Sequence, residues 1–169
     1  WGFAHDDPGG YHLVWPRDCA ETGLALAALG LVPDALRMLE LLAARPALLL
    51  ANAPWNELAV EAGAHVGSRE VVEIQLDRGA PCSICTAAMM GMTAFVRRLL
   101  KEDPQRIWEC GAHNMPLLWF PALGDGSAEY LEIARILLAA GADVKAHKRG
   151  KTALPLAAQG GQAELAELL

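Results

Sequence analysis

A run of small residues ending in glycine recurs four times along this chain. The copies are Ala62-Gly63-Ala64-His65-Val66-Gly67, Ala87-Ala88-Met89-Met90-Gly91, Ala122-Leu123-Gly124 and Ala157-Ala158-Gln159-Gly160-Gly161. The anchor glycines Gly67, Gly91, Gly124 and Gly161 stand 24, 33 and 37 residues apart, and a period near 33 limits the fold before any single side chain is weighed. A second amphipathic run follows each anchor: Val71 to Leu76, Val96 to Leu100, Ile133 to Leu138 and Leu165 to Leu169. Gly79 and Gly141 close two of these runs as helix stops. Each unit thus predicts a short helix, a turn, a second helix and a loop onward. Such a hairpin cannot cover its own apolar face and must stack on its neighbours.

Lys151-Thr152-Ala153-Leu154-Pro155-Leu156-Ala157-Ala158 and Leu137-Leu138-Ala139-Ala140-Gly141-Ala142-Asp143-Val144 resemble ankyrin repeats. Met115-Pro116-Leu117-Leu118 and Ala59-Val60-Glu61 hold the same first-helix position more loosely. The resemblance begins at about Leu36 or Ala44 and assigns 44–169 to an ankyrin-repeat-like domain of about four degenerate units, truncated at its C-terminal end, where Leu168-Leu169 carry no polar cap. Pro155 and Glu61 stand where His is usual, Pro121 interrupts a first helix, the second unit has a short finger, and Asp125 to Glu129 are inserted. The fold class this implies is mostly α, a solenoid of helical hairpins. Its implied activity is protein binding through the concave surface of fingers and first helices, with the partner unnamed.

Composition narrows the other partners. With 53% apolar and 20% charged residues over 169 positions, the chain has material for a core. Lys and Arg number 14 against 20 Asp and Glu, a net charge of -6, so no basic field draws nucleic acid or an anionic membrane. The apolar stretches Leu24 to Val32 and Ala47 to Ala51 are far shorter than the roughly 20 residues that cross a bilayer. Cys19, Cys82, Cys85 and Cys110 are too scattered for the disulfide framework of a small secreted domain, which favours a reducing, cytoplasmic compartment. The chain opens on Trp1 without an initiating Met and reads as a fragment or processed product.

The first 43 residues have a different character. His5-Asp6-Asp7-Pro8-Gly9-Gly10 predicts a loop, and from Asp18 the residues Ala20, Leu24, Ala27, Ala28 and Leu31 recur at helical spacing until Gly30 and Pro33. The loop delivers Trp15, Arg17 and Asp18 to a helix entrance, where Asp18 caps free N–H groups. Tyr11 and Trp15 offer faces for a pyranose, and Arg17 with Asp18 can read its hydroxyls; an ordinary N-cap beside a core tryptophan is the structural alternative. Asp34 is an N-cap for a helix whose Leu36, Leu39, Leu42 and Ala43 line one face.

Trp1-Gly2, Gly9 to Asp18 and Ala25 to Gly30 resemble glycoside hydrolase family 15, the glucoamylases and glucodextranases. The resemblance covers 1–43 and implies a loop and helix cut from an (α/α)6 barrel. Tyr11, Trp15, Arg17 and Asp18 match the family motif that lines the subsite for the terminal glucose. Inverting hydrolysis needs two carboxyl groups flanking the scissile bond, and the family's two glutamates lie in sequence that this chain does not contain. The expectation is a vestigial glucose or glucan site with no catalytic residue, on a non-enzymatic scaffold that implies no cofactor. The alternative is a fragment of a hydrolase of α-glucosidic bonds. A third reading takes the join as a product of gene assembly.

Other candidates have two readings each. Cys82, Cys85, Cys110 and His113 have the paired spacing that tetrahedral zinc accepts. The repeat register instead makes Cys82 and Cys85 small core residues near a first helix, so the expectation is packing and no metal, with zinc as the alternative. His65 is expected to hydrogen-bond a neighbouring loop. Lys145, His147, Lys148, Arg149 and Lys151 form a basic finger, read as a solvated face. Glu57 and Glu61 are placed four apart on one helix, with no activated nucleophile nearby in sequence. Trp55, Trp108 and Trp119 are expected to pack between units, partner anchoring being the alternative.

Overall fold

Short polar turns and N-cap side chains divide this chain into brief helices. The computed structural model describes residues 29–31, 33, 37, 40, 49–50, 52–53, 56–65 and 67–169, and these are mostly helical. Eight α-helices follow one another among them: α1 (Ala59–His65), α2 (Arg69–Asp77), α3 (Ile84–Met89), α4 (Thr93–Glu102), α5 (Trp119–Ala122), α6 (Ala128–Ala139), α7 (Ala153–Gln159) and α8 (Ala163–Leu168). Two antiparallel hairpins join β1 (Asn52–Ala53) to β2 (Glu57–Leu58) and β3 (Cys110–Gly111) to β4 (Met115–Pro116). A single bridge pairs Lys148 with Lys151. The helix expected from Asp18, most of the helix expected over Asp34 to Ala43, the join near residue 43 and Trp55 lie outside the described residues.

The starts of the helices follow from local chemistry. Ser83 accepts from the Thr86 N–H at 3.0 Å and Ser68 from the Val71 N–H at 3.5 Å, so α3 and α2 begin at the next residue. After α4, Asp103 accepts from the Gln105 N–H at 2.9 Å and Pro104 opens a 3-10 turn through Trp108. Met115-Pro116 forms a strand, and α5 starts only at Trp119. Pro121 therefore falls in the first turn of α5, where its missing N–H removes no helical hydrogen bond. It does not interrupt a longer helix; the helix is a single turn.

The turn between α5 and α6 corrects the period. Gly67, Gly91 and Gly161 have positive φ, and the equivalent residue in the third turn is Gly126 (φ 79), not Gly124. Gly126 follows Gly91 by 35 residues and precedes Gly161 by 35. Gly124 is needed for a different reason: a Cβ there would lie 2.5 Å from the Tyr130 ring. The insertion expected over Asp125 to Glu129 is corrected to a longer turn, since Ser127 stands at the N-cap of α6 and Ala128 and Glu129 open it. Within the turn Asp125 accepts from the Ser127 N–H at 2.9 Å, and that bond lowers the Asp125 carboxyl below its ordinary value.

The helices pack as neighbours in pairs, α1 with α2, α3 with α4, α5 with α6 and α7 with α8. First helices also meet in the order α1, α3, α5, α7, and α4, α6 and α8 meet in turn. Hairpins or a bridge precede α1, α5 and α7; among the described residues none precedes α3. Burial follows this order. Ile84, Ala87, Val96, Phe120, Ile133, Leu137, Ala157 and Leu165 belong to one continuous core. Val60, Ala64, Val72, Ala80 and Met90 form a smaller cluster with Leu49, and Met89 and Met92 pack against both.

Side chains from one pair reach the helix ends of the next. Arg69 donates to the Met90 carbonyl at 2.7 Å and Tyr130 donates to the Met89 carbonyl at 2.9 Å, so the end of α3 is bonded from both sides. Gln162, only 8% exposed, donates to the carbonyls of Ala122 and Gly124 at 3.1 and 2.8 Å. These carbonyls have no helical partner, and the inserted donors satisfy them. Arg97 of α4 pairs with Glu132 of α6 on the outer side. No helix among the described residues is long and apolar enough to cross a membrane.

Candidate functional site

The turn between Lys148 and Lys151 projects a cationic loop beside the hairpin of β3 and β4. Lys148 and Lys151 exchange two backbone hydrogen bonds of 3.0 Å, with Arg149 (φ 50) and Gly150 (φ 75) at the tip. Positive φ at both central residues is the geometry of a tight hairpin turn, which glycine accepts freely. Between this loop and the neighbouring hairpin lies a groove of about 510 Å³ lined by His113, Met115, Trp119, Lys148, Arg149, Lys151 and Leu156. Its apolar part comes from half-buried Met115, Trp119 and Leu156; its rim is Lys148, Arg149 and Lys151. Among the described residues no carboxylate lines it. On a chain of net charge -6, this is a local positive field over an apolar floor.

A second depression, about 620 Å³, is lined by Trp108, Cys110, Leu118 and, from the segment before the turn, His147. Its charged lining is mixed, with Glu109 and Asp143 against Lys145. Trp108 is 63% exposed at its edge, which corrects its expected packing between units. The indole sits at the end of the 3-10 turn that Pro104 opens, beyond the reach of the core. Trp119 is half-buried against the main core, as a packing residue with one face toward the groove.

A third cluster joins Glu57, His65 and His113. Glu57 does not share a helix with Glu61: Asn56 (φ 60) turns the chain, Glu57 pairs with Ala53 in the β1–β2 hairpin, and α1 begins at Ala59. His65 ends α1, and its Nδ1 lies 2.7 Å from Glu57 Oε1, so its partner is a buried carboxylate. His113, at the left-handed tip between β3 and β4 (φ 57), places Nε2 at 3.7 Å from Glu57 Oε2. The two imidazoles stack with centroids 5.9 Å apart and an interplanar angle of 27°. Asn56 donates to Asn114 at 3.3 Å and Asn52 donates to Asn56 at 2.9 Å, which ties the two hairpin tips together.

Glu61 faces inward from α1. It accepts from the Leu58 N–H at 2.9 Å and from Ser83 at 3.4 Å, and burial raises its carboxyl above the ordinary value. Ser83 is the cap of α3 and lies 3.0 Å from the Thr86 hydroxyl, so this contact serves helix initiation.

The sequence candidates are distributed as follows. Tyr11, Trp15, Arg17 and Asp18 lie outside the described residues. Cys82 is half-buried before α3, Cys85 is buried within it, Cys110 is exposed on β3 and His113 is at the hairpin tip. Burial pushes the Cys82 thiol up to about 11 and raises Cys85 further. These four do not converge; among the described residues, the group whose ligand atoms all lie within 4.8 Å is Glu57, His65 and His113. His147 is exposed and lies 3.2 Å from the Lys145 carbonyl. The grouping of Glu57 with His113 joins residues 56 positions apart, and only Asn56 and Asn114, both favourable to left-handed turns, hinted that each would stand at a hairpin tip. No family model and no curated protein matches this sequence.

Proposed function

We propose that the protein is a non-enzymatic protein-binding scaffold of ankyrin-repeat type, and that its groove takes an acidic segment carrying an apolar anchor. The observation that carries this reading is the groove itself: Met115, Trp119 and Leu156 form its floor, and Lys148, Arg149 and Lys151 form its rim. It lies between two hairpin tips and two first helices, the position at which stacked helical hairpins offer a continuous surface. The 35-residue spacing of Gly91, Gly126 and Gly161 and the serial meeting of α1, α3, α5 and α7 support the repeat reading. An aromatic floor supplies contact area, while cations at the rim steer an acidic partner and set its register.

Selection of peptides from a random library on the full chain tests the proposal. Enriched sequences are expected to combine Asp or Glu with a large apolar residue. Their affinity should fall at least tenfold in Trp119→Ala and in Lys148→Glu/Lys151→Glu, and weaken with salt. Enrichment of neutral or basic sequences, or affinity indifferent to both variants, would overturn it. So would hydrolysis of maltooligosaccharides by the purified chain.

A further inference from the structure

We infer that Glu57, His65 and His113 form a binding site for a divalent first-row transition metal, with zinc the ion to test first. Three donors from three separate segments face one point: a carboxylate from β2, an imidazole from the end of α1 and an imidazole from the tip between β3 and β4. Their ligand atoms all lie within 4.8 Å of one another, with Glu57 Oε1 at 2.7 Å from His65 Nδ1 and Glu57 Oε2 at 3.7 Å from His113 Nε2. Zinc held at about 2.1 Å by nitrogen and oxygen requires ligand atoms about 3.4 Å apart in a tetrahedron. The two separations lie on either side of that edge but run to different oxygens of the Glu57 carboxylate, so rotation of Glu57 and of the imidazoles would bring one oxygen and both nitrogens to it.

The chemistry of the set selects the ion. Two imidazoles and one carboxylate, with no thiolate, suit zinc, cobalt, nickel or copper and disfavour calcium and magnesium, which prefer oxygen. The Glu57 side chain is 2% exposed, and His65 and His113 are 23% and 36% exposed, which leaves a path for the ion. His113 also lines the groove, so the site borders the surface where Trp119 and Lys151 stand. The ion would join two successive hairpin tips across the unit that has no hairpin of its own, adding a link between the first and third helix pairs.

The site is separate from the Cys82, Cys85, Cys110 and His113 spacing, sharing only His113. The experiment uses the full chain, stripped with chelator and titrated with zinc against a chromophoric competitor. Parallel cobalt spectra read the ligand type. One equivalent is expected, with a cobalt spectrum that lacks thiolate charge-transfer bands, and Cys82→Ser/Cys110→Ser should bind as tightly as the parent. His113→Asn keeps a residue that tolerates the left-handed conformation and should lower affinity at least tenfold with unchanged circular dichroism. Zinc should raise the thermal midpoint of the parent and not of His113→Asn. Uptake below one-fifth of an equivalent, thiolate bands, or affinity retained in His113→Asn would each overturn the assignment.

Discussion

Replacing Gln162 by leucine tests how one helix pair is held to the next. The side chain is 8% exposed, and its Nε2 donates at 3.1 Å to the Ala122 carbonyl and at 2.8 Å to the Gly124 carbonyl. Leucine fills most of the volume but donates nothing, and it leaves two carbonyls at the end of α5 without this donor. A net hydrogen bond contributes about 1 kcal/mol, and an unsatisfied buried acceptor adds to the loss, which places the gross cost near 3 kcal/mol. Among the described residues Gln162 Oε1 has no partner, so removing it returns about 1 kcal/mol. The expected net loss is about 2 kcal/mol. With a urea slope of about 2 kcal/mol/M, the midpoint should fall by roughly 1 M. Gln162→Glu is the sharper control, because it puts a carboxylate against the same carbonyls and should cost more than leucine. Equal midpoints for the parent and both variants would refute the claim that this amide joins the pairs.

Three further outcomes follow from other contacts. Gly124→Ala sets a Cβ 2.5 Å from the Tyr130 ring and should cost about 1–3 kcal/mol in urea melts, with the Tyr130 to Met89 hydrogen bond disturbed as well. Burial raises the Glu61 carboxyl from its ordinary 4.5, so the folded state holds this proton more tightly than the unfolded chain does. The resulting contribution is favourable below the folded value and is lost as pH rises from 4.5 through it; Glu61→Gln should flatten that part of the stability profile and exceed the parent in stability at pH 7. In a Cys19→Ser background, a thiol reagent at pH 8 should modify exposed Cys110 first, with Cys82 and buried Cys85 slower until the chain unfolds. Simultaneous modification of all three in the native protein would contradict that order.

The helical pattern was legible where apolar spacing and helix stops coincide. Val96 to Leu100 and Ile133 to Leu138 lie within α4 and α6, because their periodicity reflects burial against neighbours on both sides. Misreadings arose where a turn residue decided the geometry. Gly124 and Gly126 are both glycines in one turn, and only the close approach of Tyr130 to the first distinguishes their roles. Glu57 sits at helical spacing from Glu61, yet the left-handed Asn56 moves it onto a strand. The candidate sites were the least legible: Met115, Trp119 and Leu156 converge with Lys148, Arg149 and Lys151 through packing of separate units, and no local pattern encodes such convergence. The basic finger was visible as a charge run, but its apolar floor was not.

Binding of an acidic, apolar-anchored segment in the groove is tested by the affinity of one library-selected peptide for the parent chain, for Trp119→Ala, for Lys148→Glu/Lys151→Glu, and for Arg135→Glu on the exposed part of α6, by calorimetry at two salt concentrations. Losses of at least tenfold are expected in the first two variants, with parent-like affinity in Arg135→Glu and weaker binding at higher salt. Parent-like affinity in both groove variants, or a loss confined to Arg135→Glu, would contradict it.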